Sequence, residues 1–418
     1  MANEFIADNA ASTVTDTAVQ KRAMRFVLMA VFVSSAGFGI IIPALPHLIQ
    51  QLESTSLSQA TKTGAWIGAT YAIFQFLLGP AMGNLGDRFG RRPVFLISLS
   101  GFAIDFVLMG LAPSVVWLFV GRGIAGALGA IFGPANAAMA DISSAENRAA
   151  SFGKVGAAFG LGFIFGPALG GFLGDYSTRL PFFVASAMAF AVFLYGYFTF
   201  PETMAPERRR PFVWHRANPL GAIVSLSKQK SLLPIAGIYF VWLSAVNVYP
   251  AAWSYYAPAQ FGWGTKMVGL SLTLVGISMV VFQAFILGKV VARYGERRTA
   301  QISMAYGVFA FVVNALITNG YALLVFILAN GIQGMAMPSI NAMMSRRLPP
   351  DRQGELQGFN GSLAALSILF AQIVYNNVLA HFTSAATPVH FPGAPFLISA
   401  VLALGSLIAI TLLPRAQQ

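Results

Sequence analysis

The chain has 418 residues, of which 56% are apolar and only 10% charged, less than half the charge of an ordinary soluble domain. So little charge cannot cover a soluble fold of this size, which excludes disorder, a coiled coil and an ordinary cytosolic enzyme and leaves an all-α integral membrane protein. The net charge of +12 has two readings, a nucleic-acid surface or the cationic loops of a membrane protein, and the positions of the cations decide between them.

In chain order, residues 1–22 are polar and small and read as a disordered cytoplasmic N-terminus. They lack the charged start, short apolar core and cleavage site of a signal peptide. Twelve apolar runs long enough to cross the hydrocarbon follow, at roughly 24–49, 62–84, 92–112, 114–138, 151–173, 180–200, 231–257, 266–288, 299–318, 320–344, 356–381 and 394–413. Period-two alternation, the mark of a membrane barrel, is missing from runs such as 182–200. The longest polar stretch, 201–230, contains Arg208-Arg209-Arg210 and three prolines. It acts as a cytoplasmic linker between an N-terminal six-helix half (23–200) and a C-terminal one (231–414). With the N-terminus inside, 22 of the 26 cations fall on cytoplasmic segments, and Lys62, Arg179 and Lys266 on outer loops. That asymmetry obeys the positive-inside rule and places both termini in the cytoplasm. The scattered basic loops make no nucleic-acid patch. The chain has no cysteine, so disulfides, thiolate metal sites and cysteine nucleophiles are excluded.

One cation remains, Arg122, inside span 4. One acid, Asp105, lies near the middle of span 3. Span 3 runs outward and ends near Ala112, and span 4 begins near Ser114. At about 1.5 Å per residue, both charges lie about 10–12 Å below the outer surface. A lone aspartate at depth costs about 2.5–3.5 kcal/mol on the mild insertion scale and is functional by default. A carboxyl that can be neutral or charged, facing a cavity, suits proton coupling. Arg122 would hold Asp105 ionised in one conformation and release it in the other.

After span 2 stands Gly83-Asn84-Leu85-Gly86-Asp87-Arg88-Phe89-Gly90-Arg91-Arg92, whose glycines suit a tight turn. Asp141 closes span 4 on the same side. Span 5 carries Gly156, Gly160, Gly162, Gly166, Gly170 and Gly171 with Pro167, a small-xxx-small pattern that permits close helix contact. A degraded copy of the first loop, with Arg293-Tyr294-Gly295 and Arg297-Arg298, follows span 8 at an offset of 205 residues. It has Ala292 where Asp87 stands. Gly123-Ile124-Ala125-Gly126 in span 4 is echoed by Gly331-Ile332-Gln333-Gly334 in span 10. Two repeated halves with a site between them near the midplane are the build of a secondary transporter.

These residues carry a resemblance. The 83–92 loop resembles the signature loop of the major facilitator superfamily, Arg122 to Gly126 its span 4 arginine motif, and Gly162 to Gly171 its span 5 antiporter motif. Ala140-Asp141-Ile142 with Glu146-Asn147-Arg148 is similar to the following cytoplasmic loop. Within the superfamily, Ser98 to Asp105 and Pro43-Ala44-Leu45-Pro46 are most similar to drug:proton antiporters of the tetracycline-efflux type. The resemblance implies that fold, export driven by the proton gradient with no cofactor, and a proton-coupling role for Asp105. It also implies a cytoplasmic gate in which Gly83, Asp87, Arg88, Gly90, Arg91, Arg92 and Asp141 take part, with Asp87 near the start of span 11, a cluster that would stabilise the outward-facing state and break when the inside opens. One departure counts against tetracycline: Ser34 stands where those proteins carry an acid in span 1.

Amides and aromatics remain for the cavity. Tyr71, Gln75, Asn136, Asn247, Gln283 and Gln333 are its candidate lining, with Asn314, Gln372, Phe74, Tyr239, Trp242, Tyr249, Trp253 and Tyr255 beside them. Such a lining suits a small amphipathic compound better than a phosphate or dicarboxylate, which need cationic clamps. The reading is therefore a monomeric multi-pass protein of the cell inner membrane, with protons, lipid and a small amphipathic substrate as partners and no nucleic acid. An uptake symporter on the same fold is the alternative. No zinc-protease, serine-hydrolase or phosphate-loop motif is present and no metal set is expected, so an enzyme is not.

Overall fold

The computed structural model describes residues 17–143, 147–211, 229, 232–348 and 353–414. Among these residues the regular structure is helical, with no strand. Apolar runs in lipid must satisfy every backbone group internally, and helices do so within one segment. Eleven helical runs are long and apolar enough to cross a membrane. One of them, Thr265–Leu316, is 52 residues long and breaks at Gly295, whose φ of 77° and ψ of 166° are not helical. The break divides it in two, so the described residues are consistent with the twelve spans that hydropathy predicts. The protein is a multi-pass membrane protein.

In chain order the spans are α1 (Thr17–Glu53), α2 (Leu57–Phe89), α3 (Arg91–Leu111), α4 (Val115–Leu128 and Phe132–Asp141), α5 (Arg148–Tyr176) and α6 (Leu180–Thr199). Then come α7 (Leu233–Val246 and Val248–Phe261), α8 (from Thr265 to the break at Gly295), α9 (from Gly295 to Leu316), α10 (Gly320–Ile327, Gly331–Gly334 and Ala336–Ser345), α11 (Gln353–Phe382) and α12 (Ala394–Leu412). An even number of crossings puts Thr17 and Leu412 on one face, called here the terminal face; the opposite one is the far face. α1–α6 enclose one apolar core and α7–α12 a second.

Three boundaries differ from the sequence reading. α1 begins at Thr17, so residues 17–22 are helical rather than part of a disordered tail. The glycine-rich loop after span 2 is mostly helix: α2 runs through Gly83 and Gly86 to Phe89, and only Gly90, at φ 102°, makes the turn. Its counterpart at Gly295 does the same, so the expected loop 288–298 is a single joint. In the linker, 201–211 is described and holds a 3-10 turn, Pro206–Arg208; its remainder, apart from 229 itself, and Glu146 lie outside the described residues.

The span 5 glycines explain how the helices approach. Gly162, Gly166 and Gly170 face α1, where a methyl group would run into Ser35, Ala36 and Ile40. Pro167 packs on Gly39 of α1 in return. Gly171 faces the other way, across the boundary between halves: a Cβ there would lie 3.0 Å from the Cα of Gly269 in α8. The same stripe therefore seats α5 within its own half and against the other, the close packing that small residues allow in lipid.

Candidate functional site

Two cavities lie between the halves. The central one, about 210 Å³, is walled by α1, α2, α4, α7 and α11, with Phe38, Tyr71, Arg122, Asn247, Tyr255 and Gln372 on its surface. The second, about 750 Å³, lies towards the terminal face between α2 and α4 on one side and α7 and α11 on the other. Ile368 lines both, so they adjoin. Beyond them the far face is shut. Gly64 meets the Tyr255 hydroxyl, Gly68 meets Gln372, and Ser58 Oγ donates to the Ala380 carbonyl at 2.7 Å. Across the other seam Thr273 Oγ1 lies 3.2 Å from the Ile164 carbonyl. The conformation is closed on the far face and open to the terminal one.

Asp105 and Arg122 meet, as their matched depths predict. Arg122 Nε donates to Asp105 Oδ1 at 3.2 Å, and its Nη2 pairs with Asp105 Oδ2. The backbone permits this because Gly121, one residue before Arg122, has no Cβ to collide with Asp105. The guanidinium lies over the rings of Tyr71 and Phe106, at 5.6 and 5.8 Å. One feature differs from expectation. Asp105 is 0% exposed and does not face a cavity. Arg122 stands between it and the central cavity, because the arginine's longer side chain reaches past the carboxylate to the wall. A charged pair at this depth is tolerable only when each charge satisfies the other.

At the terminal face Arg91 joins Asp87 (2.8 Å) and Asp141 (3.5 Å); the cluster stays intact beside an open cavity, where the gate reading expects it to break, because all three residues belong to the first half. Asp141 lies at the carboxyl end of α4, where a lone carboxylate is unfavourable and a cation relieves it. Asp87 and Gln357, near the start of α11, both line the terminal-face cavity. Gly83 lines that cavity too. Arg88 is exposed and lies over Phe89 at 5.0 Å. Arg92 stands apart from the acids and donates to the Tyr197 carbonyl near the end of α6, at 2.6 Å.

Sequence reasoning missed Glu202. Its carboxylate accepts from the backbone N–H of Arg91 (2.8 Å), Arg92 (3.1 Å), Thr203 and Met204 (both 3.0 Å), so it caps α3 from the linker. It fills the space beside Gly90, where a Cβ would collide with it. Nearby, Arg210 N donates to the Asp87 carbonyl at 2.9 Å, laying the linker along the gate. Glu202→Ala is expected to cost about 0.5–2 kcal/mol, as loss of a helix cap does, and to lower the thermal midpoint of purified protein. An unchanged midpoint would contradict the capping role.

The repeat also holds a pair that hydropathy did not reveal. The 205-residue offset carries Gly90 onto Gly295, Arg91 onto Glu296 and Asp141 onto Arg346. Glu296 and Arg346 pair at 2.8 Å with the signs exchanged. Arg92 maps to Arg297, which donates to the Thr411 carbonyl near the end of α12 at 2.9 Å. In the other echo, Arg122 maps to Asn330, which is 6% exposed and whose two polar side-chain atoms find no hydrogen-bond partner among the described residues.

Of the candidate lining residues, Tyr71 and Asn247 face the central cavity, and Gln75 and Asn136 the terminal-face one. Asn247 sits at the break in α7 and bonds Ser367 of α11 at 2.9 Å. Gln283 and Gln333 line neither cavity. Gln283 is exposed within a π-turn of α8, which shifts the helical register. Gln333 is buried inside the second half, donating to the Tyr249 hydroxyl at 3.1 Å, and Asn314 donates to the same oxygen at 3.2 Å. Trp242 and Trp253 are wholly buried packing residues. Ser34 is 3% exposed and bonds the Ala30 carbonyl of its own helix at 2.7 Å.

The family model for the Major Facilitator Superfamily matches residues 27–372. Tetracycline resistance protein, class C, of Escherichia coli is 34% identical over 390 residues, covering 93% of this chain and 96% of that protein. Multidrug resistance protein 2 of Bacillus subtilis is 29% identical over 357 residues, covering 84% and 87%. Among solved structures, a D-xylose–proton symporter superposes with a TM-score of 0.73 at 17% identity, over 94% of this chain and 98% of that one.

Proposed function

Because this chain belongs to the major facilitator superfamily, we propose that it exports small amphipathic compounds across the bacterial inner membrane in exchange for protons. The observation that carries the reading is the sealed Asp105–Arg122 pair with its arginine on the wall of a cavity open to one face. The tetracycline and multidrug resistance relatives favour outward transport of drugs over uptake. The cation asymmetry favours a cytoplasmic terminal face, which makes this conformation inward-open.

In that cycle a compound enters from the cytoplasm through the larger cavity and settles between the halves. Rocking the halves separates Gly64 from Tyr255 and Gly68 from Gln372 and opens the far side. The inner gate then closes on Asp87. Its carboxylate meets the amino end of α11, where the helix dipole favours an anion, while Arg91 holds it from behind. The Arg91–Asp87–Asp141 and Glu296–Arg346 clusters each lie within one half, so neither has to break during rocking. Protons reach Asp105 from outside and leave it inside, one per cycle. Ser34, buried and satisfied within α1, puts no acid at that place in the helix to help hold a metal chelate, so tetracycline itself fits poorly.

The test is direct. Everted vesicles given an imposed proton gradient should accumulate an amphipathic dye and release it on collapse of the gradient. Accumulation in right-side-out vesicles instead would establish the uptake symporter.

A further inference from the structure

The ion pair and the central cavity together limit the charge a cargo can carry. Arg122 forms part of the cavity wall, whereas Asp105 is wholly buried behind it. Among the described residues no carboxylate lines that cavity. In this conformation a cargo therefore does not touch the proton carrier. It meets a guanidinium whose charge is balanced when Asp105 is ionised and bare when Asp105 is protonated.

We propose that Arg122 reports the protonation of Asp105 to the cavity as a change of net charge, so that lipophilic cations compete with the proton while organic anions bind together with it. The surroundings make the effect large. Phe38, Ile41, Leu45 and Ile67 wall the same cavity, and charges act more strongly beside apolar walls than in bulk water. With the pair intact the wall is neutral and a cation is tolerated. With Asp105 protonated, the uncompensated guanidinium repels a cation and attracts a carboxylate or sulfonate. Linkage is reciprocal: a bound cation holds Asp105 ionised, and a bound anion holds it protonated. The first is exchange and the second co-transport. Deepening the export reading and resting on it for direction, the proposal makes cationic amphipaths the exported class and excludes anionic ones.

Other charges near the pair are few. From α2 comes Tyr71, under the guanidinium. From α1, Gly37 packs on the Phe106 ring beside the pair, and from α6, Ser186 bonds the Ala103 carbonyl. Arg179, before α6, donates to the Gly110 carbonyl five residues outward of Asp105. The central cavity adds Tyr255 from α7 and the amides Asn247 and Gln372. Asp87, Arg210 and Tyr239 face only the other cavity.

The experiment measures equilibrium binding to purified full-length protein between pH 5.5 and 8.5. The probes are one aromatic fluorophore bearing a quaternary ammonium, an uncharged amide or a sulfonate, none of which titrates in that range. The ammonium probe should bind more tightly and the sulfonate more weakly as pH rises, by up to about tenfold per pH unit, with the amide nearly flat. Asp105→Asn should fix the bare-charge state: sulfonate binding becomes strong and ammonium binding weak at every pH. Arg122→Lys, which keeps the charge, should preserve the opposed slopes, and Arg122→Gln, which leaves the buried carboxyl no cation to hold it ionised and so keeps it neutral, should remove them. Slopes of one sign for both ions, or opposed slopes that survive Asp105→Asn, would overturn the proposal. Opposed slopes without dye export in everted vesicles would support it and sink only the export reading.

Discussion

Asp105→Asn is expected to abolish proton-driven dye accumulation in everted vesicles, down to the level of vesicles lacking the protein. The same change strips Arg122 of its partner at full burial. Removing one member of a buried pair costs about 3–5 kcal/mol, because the survivor is left uncompensated. Arg122→Gln should cost a similar amount for the same reason. The double variant, Asp105→Asn with Arg122→Gln, leaves two neutral amides at hydrogen-bonding distance and should recover most of the lost thermal stability. It should recover none of the transport, since no titrating group remains. Stability and coupling thus separate in one set of three variants. Export by the stable double variant would show that the pair is only a structural clamp.

The second large effect is expected at Gly64. Any side chain there meets the hydroxyl and ring of Tyr255, itself 4% exposed. Gly64→Val should therefore oppose closure of the far face and drive the population outward-open. Overpacking of this kind costs about 1–3 kcal/mol, which is a shift of about 5- to 150-fold between the two conformations. The readout is free of background, because the chain contains no cysteine. A cysteine at Gly83, on the wall of the open cavity, should label rapidly from the terminal face in the parent and more slowly, by at most that factor, with Gly64→Val. Trimming Tyr255→Ala should restore the rate. Unchanged labelling would mean that α2 and α7 do not meet in the cycle.

What could be read from the sequence divides along physical lines. Hydropathy is a one-dimensional quantity, and it located the spans among the described residues, because lipid imposes the same length and apolarity on each. The Asp105–Arg122 pair was also accessible, since two helices joined by a short turn share a depth scale. What depth does not specify is azimuth. It could not tell that Arg122 would stand in front of Asp105, nor that a π-turn in α8 would carry Gln283 away from the cavities, nor that Gln333 would turn towards Tyr249. Glu202 was hidden for another reason. Its function is to receive backbone N–H groups, and those carry no side-chain signature. The Glu296–Arg346 pair was visible in principle, since the offset that matched Gly90 to Gly295 would have found it.

That pair has a consequence for how sign is chosen. An ion pair tying one helix start to the next helix end works equally well in either polarity. In the first half polarity is not free. Asp87 lies one helical turn before position 91 and bonds the side chain there, so an acid at 91 would face Asp87 on one side and Asp141 on the other. In the second half Ala292 replaces Asp87, nothing constrains position 296, and the order is reversed. The aspartate that serves the gate therefore also dictates the direction of the charge pair behind it, and the half without a gate carboxylate is the half where that direction has turned over.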